Sequence, residues 1–186
     1  DNRSFKIYSL NCRSLKKHFP DILFDEMLMK SDVICLQETW LDDDSQRDEL
    51  EVPNYKLHLN SHGKGKGIAI YFKKETIRHQ IDIKEETLQL SKFTSEHIEL
   101  VVLYRSQNAD HKHLTHILET LLDSEKPLLV VGDFNFCFME NSSNPTKKYF
   151  KENFFNQLVQ EPTHIEGNLL DHAYMRDTKR VNEYKT

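Results

Sequence analysis

The sequence predicts an α/β fold in which two β-sheets lie face to face and helices cover the outer faces. Two observations carry this prediction. Strand-like and helix-like segments alternate near both ends of the chain, and a run of antiparallel strands stands between them. The length of 186 residues, with 38% hydrophobic and 30% charged residues, fits one soluble domain with a substantial core.

Three short apolar segments share one pattern, because each of them ends in a polar or acidic residue. They cover residues 5–11, 32–38 and 127–135. A continuous apolar run of this length is typical of a strand that is buried on both faces. Three such strands, each finishing on a carboxylate or an amide, predict one cleft lined by strand ends.

The remaining elements follow from periodicity. A helix is predicted between the first two strands, interrupted or bent by Pro20, with apolar positions at Leu15, Phe19, Ile22, Leu23 and Met27. A second helix is predicted over residues 110–123, with one apolar face made by Leu114, Ile117, Leu121 and Leu122. Antiparallel strands are predicted at residues 55–60, 67–74, 80–86 and 99–106. A short helix over 145–154 precedes a last strand over 169–174.

Charge and cysteine content narrow the function classes. The net charge of -5 argues against a protein that coats DNA with a basic face, but a metal-dependent nuclease needs carboxylates and is compatible with it. The cysteines, Cys12, Cys35 and Cys137, are far apart in apolar runs and are interpreted as reduced, buried thiols. A nuclear or cytoplasmic protein, not a secreted one, is therefore expected.

The ends of the chain indicate a fragment. No apolar stretch approaches the ~18 residues of a membrane span, and the first residues do not resemble a signal peptide. The chain starts with Asp1 rather than Met, so we interpret it as part of a longer protein.

Five residues at the ends of predicted strands or, for Asp171, inside one are candidates for chemistry. Asp133 and Asn135 are two positions apart and would project to the same side of an extended chain, where a carboxylate and an amide suit magnesium or phosphate. Glu38 and Asn11 close the other two strands, and an Asp at position 171 is costly in a buried strand unless it is paired or bound to metal. Each of these residues, taken alone, can be explained as an ordinary solvated residue at a strand end. The presence of all five together favours an active site.

The motifs around these residues resemble those of the endonuclease/exonuclease/phosphatase superfamily. In order they read SLNCRSL, ICLQETWL, GKGIAIYF, VVLYRS, VVGDFNF and LLDHAY, and they extend from Phe5 to Tyr174. The superfamily includes abasic-site endonucleases, DNase I, retrotransposon endonucleases, inositol-phosphate 5-phosphatases and deadenylases. The resemblance implies a four-layer α/β sandwich, DNase I-like, with two packed mixed sheets and helices on the outer faces.

Within the superfamily the chain most resembles endonuclease domains of mobile elements. Asn11-x-Arg13-Ser-Leu and Tyr104-Arg105-Ser106 are typical of non-LTR retrotransposons. The stretches NPTKKYF and QLVQEPTHIEGNLLDHAY resemble the endonuclease that is fused to the helicase of Helitron-like (Helentron) transposons. A parent protein with a helicase or a reverse transcriptase is the implied context.

The resemblance also implies a role for each candidate residue. Glu38 would be the principal Mg²⁺ ligand, with Mn²⁺ as a substitute ion, and Asn11 would help to place the metal or the phosphate. Asp133 would activate water, Asn135 would stabilise the transition state, and Asp171 would support the base. The scissile phosphate would be contacted by Tyr104 and Arg105. Further DNA contacts are expected from Arg13 and from Lys64 and Lys66 of a predicted hairpin turn.

One family motif is absent. The superfamily normally ends with an Asp-His or Ser-Asp-His motif, and only VNEYKT follows Arg180. We expect that residues 1–186 form a single, C-terminally incomplete domain; a missing terminal loop or an inactive binding module are the alternatives. His172 faces away from its neighbour Asp171 on a strand and is interpreted as structural. A phosphatase or a ribonuclease of the same superfamily is the rival enzyme.

Overall fold

A computed structural model describes residues 5–73, 77–121, 124–140 and 143–177. Its helices are α1 (Leu15–Phe24), α2 (Glu26–Met29), α3 (His111–Leu121) and α4 (Pro145–Glu152), with a short 3-10 helix at Arg47–Leu50. Its strands are β1 (Ile7–Asn11), β2 (Val33–Gln37), β3 (Tyr55–Asn60), β4 (Ile68–Lys73), β5 (Arg78–Lys84), β6 (Leu88–Thr94), β7 (Glu99–Arg105), β8 (Leu128–Asp133), β9 (Asn156–Gln157) and β10 (Asp171–Arg176).

The strands form two mixed sheets. The four-stranded sheet has the order β1-β2-β4-β3, and β1 and β2 are parallel. The six-stranded sheet has the order β5-β6-β7-β8-β10-β9, and β7 and β8 are parallel. Parallel neighbours end at the same edge of a sheet. The polar ends of β1 and β2 therefore lie side by side, and so do the ends of β7 and β8.

Three apolar clusters separate four layers. The cluster between the sheets joins residues of β2 and β4, such as Cys35 and Ile70, to residues of β7 and β8, such as Val102 and Val131. A second cluster packs α1 and α2 on the outer face of the four-stranded sheet. A third cluster packs α3 and α4 on the outer face of the six-stranded sheet. The predicted four-layer α/β sandwich is therefore confirmed.

The first helix departs from its prediction. α1 continues through Pro20, and the break comes at Asp25, whose backbone is extended. The Asp25 carboxylate accepts hydrogen bonds from the backbone N–H groups of Met27, at 2.8 Å, and Leu28, at 3.0 Å. This capping starts α2 in a new direction and leaves Met27 exposed. Of the two predicted effects of Pro20, a bend or an interruption, the interruption is wrong.

Strand β6 was not predicted, because polar residues hide its pattern. Gln89 and Ser91 are fully buried within it, and Lys92 is buried against Glu99 of β7, with 2.8 Å between the Nζ and a carboxylate oxygen.

The three cysteines are free and buried, as expected. Leu122 of the predicted second helix lies outside the described residues. Within the described part of the chain, none of the helices reaches the length and apolarity that a membrane crossing requires.

Candidate active site

Asn11 joins the two sheets at the edge where the polar strand ends meet. Its Nδ2 donates to Glu38 Oε1 at 2.8 Å and to Asp133 Oδ2 at 2.8 Å. Glu38 follows β2, whereas Asp133 is the last residue of β8 in the other sheet. The polar strand ends that the sequence predicted to lie together therefore meet at this edge, which we call the cleft, and both sheets contribute to it.

The backbone turns sharply after three of the strands that end at this cleft, β1, β2 and β8. Positive φ angles occur at Arg13 (43°), Ser14 (91°), Glu38 (54°), Trp40 (59°) and Asn135 (50°). Such angles are costly for side-chain-bearing residues, and they cluster at functional sites. They turn the side chains that follow each strand toward one another.

Asp133 is the most buried acid of the cleft, with 3% of its surface exposed. Burial is the main cause that raises the pKa of Asp133 to about 7, and the negative charges of Asp171 and Glu38 raise it further. Hydrogen bonds from the Asn135 backbone and from Asn11 act in the opposite direction. At neutral pH this carboxyl group is poised between its charged and neutral forms.

Asp171 faces Asp133 across the antiparallel pair of β10 and β8. Burial raises the pKa of Asp171 above its ordinary value, against a hydrogen bond from Thr163, and the charge of Glu38 adds to the increase. Its Oδ1 is buried and has no hydrogen-bond partner among the described residues. An orphaned carboxylate oxygen beside two other carboxylates suits a hard cation with oxygen ligands, such as Mg²⁺.

Tyr104 and Asn135 supply neutral donors beside these acids. Tyr104 lies opposite Asp133 in the parallel pair of β7 and β8. Burial raises the pKa of Tyr104 to about 12, helped by the charges of Glu38 and Asp133, while a hydrogen bond with Asn135 lowers it. The phenol is therefore protonated at neutral pH and can donate a hydrogen bond.

Asn135 reaches the cleft by a route that the sequence did not predict. The chain does not stay extended after Asp133, because the φ of Asn135 is 50°. The Asn135 backbone N–H donates to Asp133 Oδ1 at 2.9 Å, and its Nδ2 donates to the carbonyl of Arg105 at 2.7 Å. A tight turn, not strand alternation, brings the carboxylate and the amide together.

Arg105 does not point into the cleft. It follows Tyr104 on β7, so its side chain projects from the opposite face of the sheet, where 1% of its surface is exposed. Its guanidinium donates to the carbonyl of Phe134 at 3.1 Å and to the carbonyl of Ala109. The expectation that Arg105 contacts the scissile phosphate and DNA is therefore wrong. Arg105 instead stabilises the turn that carries Asn135.

The other cationic side chains expected to contact DNA differ in their exposure and in their ion pairs. Arg13 is exposed, and its Nη2 lies 3.4 Å from His164 Nε2. Lys64 is exposed on the turn between β3 and β4. Lys66 on the same turn forms an ion pair with Glu86. Arg13 and Lys64 therefore remain more available to a phosphate backbone than Lys66.

Three neighbours of the cleft were not predicted as functional. Trp40 Nε1 lies 3.3 Å from Glu38 Oε2 and donates to it, and 37% of this residue is exposed. The Thr163 hydroxyl accepts from the backbone N–H of Asp171 at 3.1 Å, and His164 lies beside it. The available signal for Trp40 was its position two residues after Glu38. Nothing local in the sequence signals the loop that carries Thr163 and His164.

His172 is structural, as its position on the strand indicated. It is buried, and burial lowers its pKa to about 4, so the imidazole is neutral. Its Nε2 lies 3.1 Å from the carbonyl of Phe136 and 3.0 Å from that of Leu169, and its Nδ1 lies 3.1 Å from the hydroxyl of Tyr174. These contacts pin the segment after β8 against β10.

Solved structures share this fold. An AP endonuclease from Archaeoglobus fulgidus is similar with a TM-score of 0.69 and 16% identity, over 97% of this chain and 89% of the other. The endonuclease domain of TRAS1, a telomere-specific non-LTR retrotransposon, has a TM-score of 0.68 and 12% identity, over 95% and 85%. A mannosyl-6-phosphatase of Bacteroides thetaiotaomicron has a TM-score of 0.63 and 13% identity, over 92% and 85%.

Sequence comparison is decisive at the level of the family. No curated protein matches the sequence. The model of the Endonuclease/Exonuclease/phosphatase family, however, matches residues 8–185. That match extends over nearly the whole chain and includes every residue of the cleft, so the chain belongs to the Endonuclease/Exonuclease/phosphatase family.

Proposed function

We propose that this chain is a magnesium-dependent endonuclease domain that nicks DNA by hydrolysing a phosphodiester bond. The observation that carries the proposal is the double hydrogen bond of Asn11 to Glu38 and Asp133, with Asp171 opposite Asp133. This arrangement brings together three carboxylates where the two sheets meet, and neutral donors lie beside them. A cation bound among carboxylates held together in this way would offset their repulsion.

Glu38 is the principal metal ligand in this proposal. It is less buried than Asp133, and Asn11 and Trp40 hold its two oxygens in place. Asn11 donates to both acids, so its role is to position the metal ligand. Mg²⁺, or Mn²⁺ in its place, would supply charge neutralisation and Lewis acidity at the phosphate.

Asp133 is the proposed base. A carboxyl group with a pKa of about 7 can take a proton from water near neutral pH more readily than an ordinary aspartate can. Asp171 helps to hold that pKa high. The Asn135 amide and the Tyr104 phenol would donate to phosphate oxygens as charge develops on them. Departure of the 3′ oxygen would leave 3′-OH and 5′-phosphate ends.

DNA is the favoured substrate because of the rim of the cleft. Arg13 supplies exposed positive charge that acts on Asp171, and Trp40, which donates to Glu38, exposes part of its aromatic surface there. Cations beside an aromatic ring suit a nucleic-acid strand better than a small phosphorylated sugar or inositol. A phosphatase, a ribonuclease and an inactive binding module are the outcomes against which this proposal is tested.

The test is nicking of supercoiled plasmid with and without Mg²⁺. This chain and a C-terminally extended version are compared, each as wild type, as Glu38→Gln and as the control Glu49→Gln, whose side chain is exposed. We expect nicking by the extended version, a loss of about 100-fold or more in Glu38→Gln, and no change in Glu49→Gln. Folded proteins that leave plasmid intact but hydrolyse RNA or phosphate monoesters would support the rival enzymes. Folded proteins that hydrolyse none of these would support the inactive module.

We also propose that the domain belongs to a nuclear protein of a transposable element, fused to a helicase or a reverse transcriptase. The mobile-element motifs around Asn11, Tyr104 and Asp171 support this context. Sequencing of full-length transcripts tests it. We expect one reading frame that joins this domain to one of those two enzymes, and a frame that joins neither would contradict the proposal.

A further inference from the structure

A second group of ligand-type side chains lies away from the cleft, at the other lateral edge of both sheets. It consists of His58, His79 and Asp82, whose candidate ligand atoms all lie within 4.8 Å of one another. The Nε2 atoms of His58 and His79 lie 3.0 Å and 3.1 Å from the same oxygen, Asp82 Oδ1. The proposed nuclease reaction uses none of these residues.

The two sheets build this cluster together. His58 lies on β3, the edge strand of the four-stranded sheet, and the other two residues lie on β5, the edge strand of the six-stranded sheet. Asn60, also on β3, donates to the carbonyls of Ile83 and Leu90 in the second sheet, at 3.0 Å and 3.1 Å. These bonds hold the two edges in contact where the histidines meet.

A β-bulge gives the cluster its geometry. His79 pairs with Phe93, but Ile81 pairs with Lys92, so Gln80 is an extra residue in β5. On a regular strand, residues three apart face opposite sides. The bulge turns His79 and Asp82 to the same side, and a bulge commonly re-aims a side chain in this way.

The surroundings restrain the three side chains. The rings of His58 and His79 are stacked, with centroids 4.2 Å apart and an interplanar angle of 24°. The Phe93 ring lies against both, with centroids at 5.2 Å and 5.5 Å. The Ser91 hydroxyl donates to Asp82 Oδ1 at 2.5 Å. A carboxylate that is itself hydrogen-bonded is typical of metal ligands.

We propose that His58, His79 and Asp82 bind a zinc-class transition-metal ion that clamps the free edges of the two sheets together. Imidazole nitrogens and a carboxylate are the donors that Zn²⁺ prefers, whereas the acidic cleft offers oxygen donors suited to Mg²⁺. Tetrahedral zinc, with bonds of about 2.0–2.1 Å, holds its ligand atoms about 3.3 Å apart. The nitrogen–oxygen distances of 3.0 Å and 3.1 Å are close to this value; without an ion they are direct hydrogen-bond or ion-pair contacts, which a bound ion would replace.

Little movement is needed to complete the site. The side chains of His58, His79 and Asp82 are 18%, 36% and 32% exposed, so an ion can reach them from solvent. The three ligand atoms already lie within 4.8 Å of one another, so a small shift of the His79 ring along its stack with His58 is enough to close them around an ion. Three protein ligands leave the fourth position to water.

The experiment is calorimetric titration of the metal-free chain with ZnCl₂, together with melting temperatures with and without the ion. We compare wild type, His79→Gln, Asp82→Asn and the control His97→Gln, whose exposed side chain lies 3.9 Å from the carboxylate of Glu96. We expect one Zn²⁺ per chain, a higher melting temperature with zinc, and a loss of affinity of about tenfold or more in the first two variants. The control should bind as wild type does, and excess Mg²⁺ should not compete.

Several results would overturn the proposal. No zinc binding in the micromolar range would do so, and so would equal affinity in wild type and His79→Gln. Circular dichroism checks that the variants are folded. Glu38→Gln separates the two sites: it should keep zinc binding while losing Mg²⁺-dependent nicking. Loss of zinc binding in Glu38→Gln would assign the ion to the cleft instead.

Discussion

Asn11 Nδ2 lies 2.8 Å from Asp133 Oδ2, although 122 positions separate the two residues in the chain. The same nitrogen lies 2.8 Å from Glu38 Oε1. A neutral donor between two acids offsets part of their repulsion and keeps them close enough to share a cation. This one amide thus joins the edges of both sheets in the cleft.

The first prediction concerns a negative charge introduced at position 11 in place of that amide. Asn11→Asp replaces a shared donor by another carboxylate, so we expect the metal-free protein to lose on the order of 2 kcal/mol or more of unfolding free energy. Asn11→Ala removes the donor without adding charge and should lose less. Urea denaturation with and without Mg²⁺ measures the unfolding free energy of both variants. Bound Mg²⁺ should reduce the difference in unfolding free energy between Asn11→Asp and wild type. Equal stability of Asn11→Asp and wild type without metal would show that the amide does not relieve repulsion.

The second prediction concerns pH. The folded-state pKa of Asp133 is about 7, against an ordinary value of 3.8, so the folded protein holds this proton over a range in which the unfolded chain has lost it. Stability from this group is therefore greatest at low pH and falls as pH rises toward and through 7. Between pH 6 and 8 we expect the metal-free protein to lose on the order of 1 kcal/mol, or about 2–4 °C in melting temperature.

Two comparisons make this pH test specific. Burial lowers the pKa of His172 from its ordinary value of 6.5 to about 4, so this group makes the protein more stable as pH rises. That contribution is confined to pH values below 6.5. The change in stability above pH 6.5 therefore reports on the carboxyl groups. Asp133→Asn should flatten the profile there. Bound Mg²⁺ should flatten it too, since the ion favours the charged carboxylate. A slope that persists unchanged in Asp133→Asn would assign the titration to another group.

The third prediction concerns Gly132, which precedes Asp133 on β8. A Cβ at this position would lie 1.8 Å from the carbonyl oxygen of Leu103 on the neighbouring strand, and the φ of 150° disfavours a side chain. We expect Gly132→Ala to separate β7 from β8 and to cost on the order of 3 kcal/mol or more. Gly65→Ala is the matched control: it has φ +75° but nothing within 4 Å, and should cost about 1 kcal/mol. Equal melting temperatures for the two variants would contradict the close approach.

The fourth prediction separates Arg105 from Arg13. Arg105 is buried and donates to main-chain carbonyls, so Arg105→Lys should lower the melting temperature and leave the salt dependence of DNA binding unchanged. Arg13 is exposed at the cleft, so Arg13→Ala should leave stability unchanged and reduce the slope of log K against log salt by about 0.9. Binding of metal-free protein to duplex DNA at several salt concentrations measures both slopes. A reduced slope in Arg105→Lys would restore that residue to the phosphate contacts.

Residues close in sequence were predicted more successfully than contacts between distant segments. The apolar runs that end in Asn11, Glu38 and Asp133 were enough to predict a cleft, because strand burial is visible as continuous hydrophobicity. β6 was missed because Gln89 and Lys92 find buried partners in other segments. The cluster of His58, His79 and Asp82 was also invisible, since neither spacing nor motif relates a position on β3 to a bulge in β5.

The sequence by itself determined the layered α/β class, the buried strands and the acids at their ends, because hydrophobic period and strand-end chemistry are local properties. Only the tertiary structure decided which of those side chains meet. A turn with positive φ brings Asn135 to Asp133, and strand alternation buries Arg105 on the far face. Burial beside Asp171 raises the pKa of Asp133 to about 7. Desolvation and the repulsion of neighbouring charges arise only when segments from both sheets come together.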